Sequence, residues 1–176
     1  MEISATNYKP YLNEISELYI QCFGSGKSAQ YLESITVHNY FEHLFRNNAK
    51  ALVIENENRI VALILFCPFA LDTEAPELLQ HEFHAKKSIY IAELMVDEQQ
   101  RGKGLAKILI QQVIEHCTND GYTDAIIRVW DQNLIAIRLY KKVGFNEIAT
   151  ITQQKTKADQ QGFFEMTKMY LWKKIN

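Results

Sequence analysis

Residues Tyr90 to Lys107 constrain this chain more than any other stretch. An apolar run with β-strand character, Ile89 to Val96, is interrupted only by Glu93. The polar turn Asp97-Glu98-Gln99-Gln100 follows, and then Arg101-Gly102-Lys103-Gly104. Leu105, Ile108, Leu109, Val113 and Cys117 next recur at helical spacing, which predicts an amphipathic helix. A strand, a glycine-bearing turn and a helix N-terminus together make an anion site. The first backbone N–H groups of a helix have no partners inside it, and the helix dipole is positive at that end. Glycine at 102 and 104 lets a phosphate approach the backbone, and Arg101 and Lys103 add positive charge.

The residues Gln99-Gln100-Arg101-Gly102-Lys103-Gly104-Leu105-Ala106 resemble the Gln/Arg-x-x-Gly-x-Gly/Ala signature of the GCN5-related N-acetyltransferases, the GNAT superfamily. A second motif follows in the right order: Asn133-x-x-Ala136-x-x-Leu139-Tyr140-x-x-x-Gly144-Phe145. Together the two cover roughly residues 88 to 146. The resemblance implies a mixed α/β fold with a central, mostly antiparallel sheet, splayed strands and flanking helices. It also implies that Gln99 and Arg101 through Ala106 cradle the pyrophosphate of acetyl-coenzyme A. Leu94, Met95 and Val96 would then bind the pantetheine arm. In that family the residue equivalent to Asn133 contacts the pantetheine or nearby backbone, and the one equivalent to Tyr140 meets the coenzyme sulfur.

Two other phosphate-binding patterns fit less well. A dinucleotide fingerprint needs a small residue at 107, where the chain has Lys107, although Asp124 lies at a suitable distance for a ribose-binding acid. Gly24-Ser25-Gly26-Lys27-Ser28 resembles the end of a P-loop. That pattern requires a glycine at 21, occupied by Gln21, and a preceding strand where the sequence reads as helix. It reads instead as an inter-helix loop.

With 176 residues and 47% hydrophobic content, the chain is expected to form one domain, residues 1–176, with a sizeable core. The longest apolar run, Ile60 to Leu71, is too short for a membrane span and contains Pro68. The N-terminus shows no signal-peptide pattern, and Cys22, Cys67 and Cys117 have no metal-ligand spacing. These features point to a cytoplasmic protein with free thiols, no metal and no membrane partner. A net charge of −2 gives no general attraction to nucleic acid.

Residues 2–6 suggest a short strand, and Tyr8 to Phe23 and Ala29 to Asn47 read as helices. Ala51 to Ile54 and Arg59 to Phe66 flank the polar turn Asn56-Glu57-Asn58 and form a hairpin signal. Their nearly continuous apolar content predicts a central pair covered on both faces. Residues 68–87 are an irregular connection, read either as a solvated loop with a short helix near Pro76-Glu77-Leu78-Leu79 or as acids attracting a cationic acceptor. His81 and His84 have a metal-compatible spacing without other support. Beyond the 105–117 helix come a strand (Ala125 to Trp130), a helix opened by Asn133 and ended by Gly144, and a strand (Phe145 to Thr152). A polar loop (Gln153 to Gln161) and a closing strand (Phe163 to Trp172) complete the chain.

The chemistry implied is direct attack of a primary amine on an acetyl thioester through a tetrahedral intermediate. The family's splayed strand implies that backbone N–H groups near Leu94 to Val96 would meet the charge that builds on the carbonyl oxygen. Tyr140 would hydrogen-bond or protonate the leaving thiolate. Deprotonating a lysine-like amine of pKa ~10.4 at pH 7 costs about 4.6 kcal/mol, against about 1 kcal/mol for an α-amine near ~8. A base is therefore worth most to an alkyl amine, and Glu93, the lone acid of its strand, is the candidate, its other readings being an exposed alternate position on the strand or a contact to the substrate cation. The expected activity is acetyl-coenzyme A-dependent N-acetylation of a small amine, polyamine or protein amino group, with a homodimer open. A non-catalytic acyl-coenzyme A sensor of the same fold and a protein-interaction module are the rivals.

Overall fold

The structure, a computed structural model, describes residues 1–26, 29–83 and 87–176. Seven strands form one sheet: β1 (Glu2–Ile3), β2 (Lys50–Asn56), β3 (Arg59–Pro68), β4 (Ser88–Val96), β5 (Asp124–Trp130), β6 (Asn146–Thr156) and β7 (Phe163–Lys174). Their order across the sheet is β1-β2-β3-β4-β5-β7-β6. Every pairing is antiparallel except β4 with β5. Helices α1 (Leu12–Phe23) and α2 (Ser34–Arg46) cover one face. Helices α4 (Leu105–Asn119) and α5 (Leu134–Lys142) cover the other, and a short α3 (Glu77–Glu82) lies in the 68–87 connection. No described helix is long and apolar enough to cross a membrane.

The hairpin between β2 and β3 turns on Glu57 and Asn58, both at positive φ (51° and 59°). Such a two-residue turn matches the right-handed twist of its strands. All of β3 from Ile60 to Cys67 is buried, because both helical layers pack on it. The two layers therefore share a sheet whose centre is apolar on both sides, the condition under which alternation disappears from sequence.

Several boundaries differ from the sequence reading. The second helix begins at Ser34, not Ala29, because the residues before it leave the helix to meet the sheet. Gln30 forms a β-bridge with Lys157, and the Tyr31 N–H donates to the Thr156 carbonyl. Strand β6 continues through Gln153 to Thr156, which their polarity had suggested were loop. Those residues pair with β7 in register, Gln153 opposite Met166 and Lys155 opposite Phe164. Of the Gly24–Ser28 loop, Gly24 to Gly26 follow α1, and Lys27 and Ser28 lie outside the described residues, as does His84.

Candidate active site

The site begins with a break in the sheet. Only Ser88 to Ile91 of β4 pair with β5, ending at Ile91 opposite Ile127. Beyond that point β5 pairs only with β7, so β4 and β5 splay apart. On its other side β4 keeps β3 through to Ala62 opposite Val96. The Asp97 N–H donates to Val61, while the Val96 carbonyl accepts from Arg101 Nε at 3.2 Å instead of from β3. Because N–H and C=O of one strand residue point the same way and alternate along it, the amides of Leu94 and Val96 face the gap. They lie in the stretch, Leu94 to Val96, where the family resemblance implies donors for the thioester carbonyl.

A bulge sets the side chains. Leu65 pairs with Glu93 but Phe66 pairs with Ile91, leaving Ala92 as the extra residue. Ile89 and Ile91 pack under α4 and α5; after the bulge Leu94 takes that side and Met95 takes the opposite one. Without the extra residue Glu93 would continue the Ile89–Ile91 row. With it, the carboxylate turns toward α2, where the Tyr40 hydroxyl donates to it at 2.8 Å. Burial pushes the Glu93 carboxyl up to about 7, opposed by that hydrogen bond and by the positive charge of Lys168 and Arg128.

Two pockets open from the splay. The larger, of about 510 Å³, runs between α1, the end of β4 and α5, and includes Val96, Arg101, Ala106, Asn133 and Ala136. The smaller, of about 130 Å³, lies toward α1 and β7 and includes Tyr19, Glu93, Arg128 and Lys168. Leu94, Trp130, Asn133 and Tyr140 line both, so the two meet at the Tyr140 ring. Tyr140 is buried, its hydroxyl has no hydrogen-bond partner among the described residues, and burial raises its pKa well above the ordinary phenol value. Asn133 is the N-cap of α5, accepting from the Ala136 N–H at 3.2 Å. It caps the helix while also lining both pockets.

The glycine turn stands at the outer end of the larger pocket. Gly102 and Gly104 each adopt φ +80°, and Gly104 caps α4. A Cβ at either position would meet no protein atom within 4 Å. The backbone conformation, and not crowding by the protein, is what calls for glycine there. The first intrahelical acceptor of α4 is Gly104, which takes the Ile108 N–H at 3.1 Å, so the amides of Leu105 to Lys107 point out of the helix end. Arg101 and Lys103 are exposed beside them, Lys103 reaching Gln100 at 2.6 Å, and Gln99 is held by its own N–H on the Asp97 carboxylate at 2.8 Å. Met95 points away from the gap into the core below α1 and α2, so it touches the larger pocket through its place in the strand.

Four residues at the site carried no motif. Tyr40 reads as one aromatic among several on α2, Tyr19 as part of the α1 stripe, and Arg128 and Lys168 as charges within strands. The fold turns the last two inward. Each stands at an inward position of a strand, Arg128 opposite Tyr170 and Lys168 opposite Trp130. Arg128 is held by Asp72 at 3.4 Å, Glu74 at 2.8 Å and the Tyr170 hydroxyl at 3.1 Å. Two of the acids in the 68–87 connection therefore neutralise this arginine and are not available to a cationic acceptor. His81 is exposed beside Glu77, and no group of three His, Cys, Asp or Glu suited to a metal occurs among the described residues.

A family model for the acetyltransferase (GNAT) family matches residues 12–145, three quarters of the chain, including α1, β4, β5 and α5 of the two pockets but not β7. The chain belongs to that family. N-acetyltransferase 8B of Homo sapiens is 28% identical over 95 residues, which cover 54% of this chain and 37% of that protein. The chain thus matches little more than a third of that relative's length. An N-acetyltransferase from Staphylococcus aureus Mu50 shares the fold with a TM-score of 0.71 at 20% identity, covering 100% of this chain and 98% of the other. The Salmonella typhimurium protein yncA, determined with its cofactor acetyl-CoA, has a TM-score of 0.70 at 16% identity and covers 96% of this chain and 90% of its own.

Proposed function

We propose that this chain is an acetyl-CoA-dependent N-acetyltransferase that passes the acetyl group directly to a primary amine. The observation that carries the reading is the meeting of two pockets at the β4–β5 splay, with Tyr140 lining both and Glu93 on the inner one. The larger pocket has the form a long, phosphate-ended thioester needs. Outward amides of α4 and the Gly102–Gly104 turn take the diphosphate, the edge of β4 takes the extended arm, and the thioester arrives beside Leu94.

The amine enters from the smaller pocket. Glu93, held near neutrality, accepts the amine's proton, directly or through one water, so that the nitrogen lone pair is free. As nitrogen bonds to the acetyl carbon, the outward amides of Leu94 and Val96 receive the charge that builds on the carbonyl oxygen. The carbon–sulfur bond then breaks, and Tyr140, whose pKa lies above that of an ordinary phenol, hydrogen-bonds the departing sulfur without itself ionising. The nitrogen, positively charged once bonded to the acetyl carbon, loses a second proton as the intermediate collapses. One of the two protons lost ends on the departing sulfur and the other passes through Glu93 to solvent, so coenzyme A, an amide and one free proton are the products.

Titration calorimetry with acetyl-CoA, followed by a thiol-release assay over an amine panel, tests the reading. Micromolar coenzyme binding and amine-dependent thiol release are expected. Binding without release for any amine would favour an acyl-CoA sensor, and no binding by folded protein would remove the proposal.

A further inference from the structure

The smaller pocket holds a cation that no carboxylate contacts directly among the described residues. Lys168 lies half-buried on the pocket wall, on the same face of β7 as Met166 and Tyr170. Its cross-strand neighbours are Trp130 on β5 and Ile151 on β6. Among the described residues no carboxylate lies within ion-pair distance of it. Arg128, its neighbour on β5, already has Asp72 and Glu74. Glu93 lines the same pocket but is bonded to Tyr40.

A half-buried ammonium without a partner is costly to keep. Burial lowers the Lys168 pKa to about 8, and the charges of Arg128 and Lys155 press in the same direction, opposed at longer range by the carboxylates of Glu93 and Glu74. Some group must repay that cost when the pocket is filled. A polyamine cannot, since its second ammonium would meet Lys168 and Arg128. An amine carrying a carboxylate can: its nitrogen faces Glu93 and the thioester, and its carboxylate faces Lys168. The pocket, about 130 Å³ and roofed by Tyr19, Phe23 and Gln30, suits the head of a single small molecule.

Resting on the acetyl-transfer reading above, we infer that the acceptor is a small amino-acid-like amine and that Lys168 selects it by binding its carboxylate. Lys168 is then a specificity-determining residue, while Asp72 and Glu74 of the 68–87 connection are taken up by Arg128.

The test measures thiol release from acetyl-CoA with matched pairs, each an L-α-amino acid and its decarboxylated amine, and with spermidine. Wild-type protein should use at least one amino acid with a kcat/KM about tenfold or more above its decarboxylated partner, the advantage lying mainly in KM. Lys168→Met should cut that ratio by about tenfold, and Lys168→Arg should recover much of it. Equal use of the paired acceptors, a preference for spermidine, turnover of no panel member by coenzyme-binding protein, or a ratio untouched by Lys168→Met would overturn the inference. Amine acetylation without a carboxylate preference sinks only this inference. Failure of folded protein to bind acetyl-CoA sinks the acetyl-transfer reading with it.

Discussion

Tyr40 on α2 donates a 2.8 Å hydrogen bond to the carboxylate of Glu93 on β4, across 53 residues of sequence. This contact ties the helical layer to the bulged strand and favours the ionised form of Glu93 at the splay. Burial drives the Glu93 carboxyl up, and the tyrosine O–H, which favours the ionised form, restrains it near 7.

Tyr40→Phe removes that restraint, so Glu93 should titrate higher still. A base works only when ionised, and kcat/KM therefore falls as pH drops through its pKa. The acidic limb, expected near pH 7 in the wild type, should move upward by roughly one unit, the equivalent of a hydrogen bond of about 1.4 kcal/mol. Acceptors of different amine pKa separate this limb from the acceptor's own titration: a Glu93 limb stays in place while an amine limb moves with the acceptor. Glu93→Gln should abolish it. A limb unmoved in Tyr40→Phe would take Glu93 out of the base role.

Tyr140→Phe keeps the ring that joins the two pockets and removes only the hydroxyl. Because that hydroxyl is asked to meet the sulfur as charge develops on it, turnover should fall about 10- to 100-fold. Coenzyme affinity, set by the amides and the turn, should change far less. Steady-state kinetics and calorimetry on the same preparation check the pair of values. Equal losses in kcat and in affinity would make Tyr140 a packing residue.

Gly104→Ala places a Cβ where no protein atom crowds it, at a φ of +80°. The substitution should cost about 1 kcal/mol of folding stability from the backbone alone. The larger effect should be on coenzyme binding, since relaxing the turn re-aims the first amides of α4. Thermal unfolding with and without acetyl-CoA separates the two. Loss of stability with full ligand affinity would move the diphosphate away from this turn.

The sequence exposed what depends on local chemistry. Residues 89–117 carry their strand, turn and helix in spacing and glycine placement, and the outward amides follow from that geometry. What it concealed depends on partners far along the chain. The register of β3 against β4 decides that Ala92 is extra and that Glu93 faces Tyr40, and no local pattern around Ala92 announces a bulge. Gln153 to Thr156 look like loop because an outer strand with a wet face needs no apolar alternation. Residues 29–32 look helical because apolar spacing continues through them, yet the sheet claims them through Gln30 and Tyr31. Lys168 shows the same limit: a lysine in a closing strand is ordinary until the splay makes its face a pocket wall.

Arg128 offers the sharpest stability test, because its loss strands an acid. The guanidinium holds Asp72, Glu74 and the Tyr170 hydroxyl and lies over the rings of Tyr90 and Tyr170, at 5.9 and 5.6 Å from their centroids. Burial already lifts the Asp72 carboxyl above its ordinary range, opposed by Arg128 and by the Tyr170 O–H. Arg128→Met should lift it further. An acid whose folded pKa exceeds its unfolded one binds protons more tightly when folded, so stability is lost as pH rises between the two values. The variant's deficit should therefore be modest near pH 4 and grow to about 3–5 kcal/mol at neutral pH, the usual cost of an uncompensated buried charge. Adding Asp72→Asn to Arg128→Met should remove most of the pH-dependent part. Urea unfolding at several pH values reads both. A deficit that stays constant with pH would mean that Arg128 acts by packing over the two rings, and the charge account of this cluster would have to be given up.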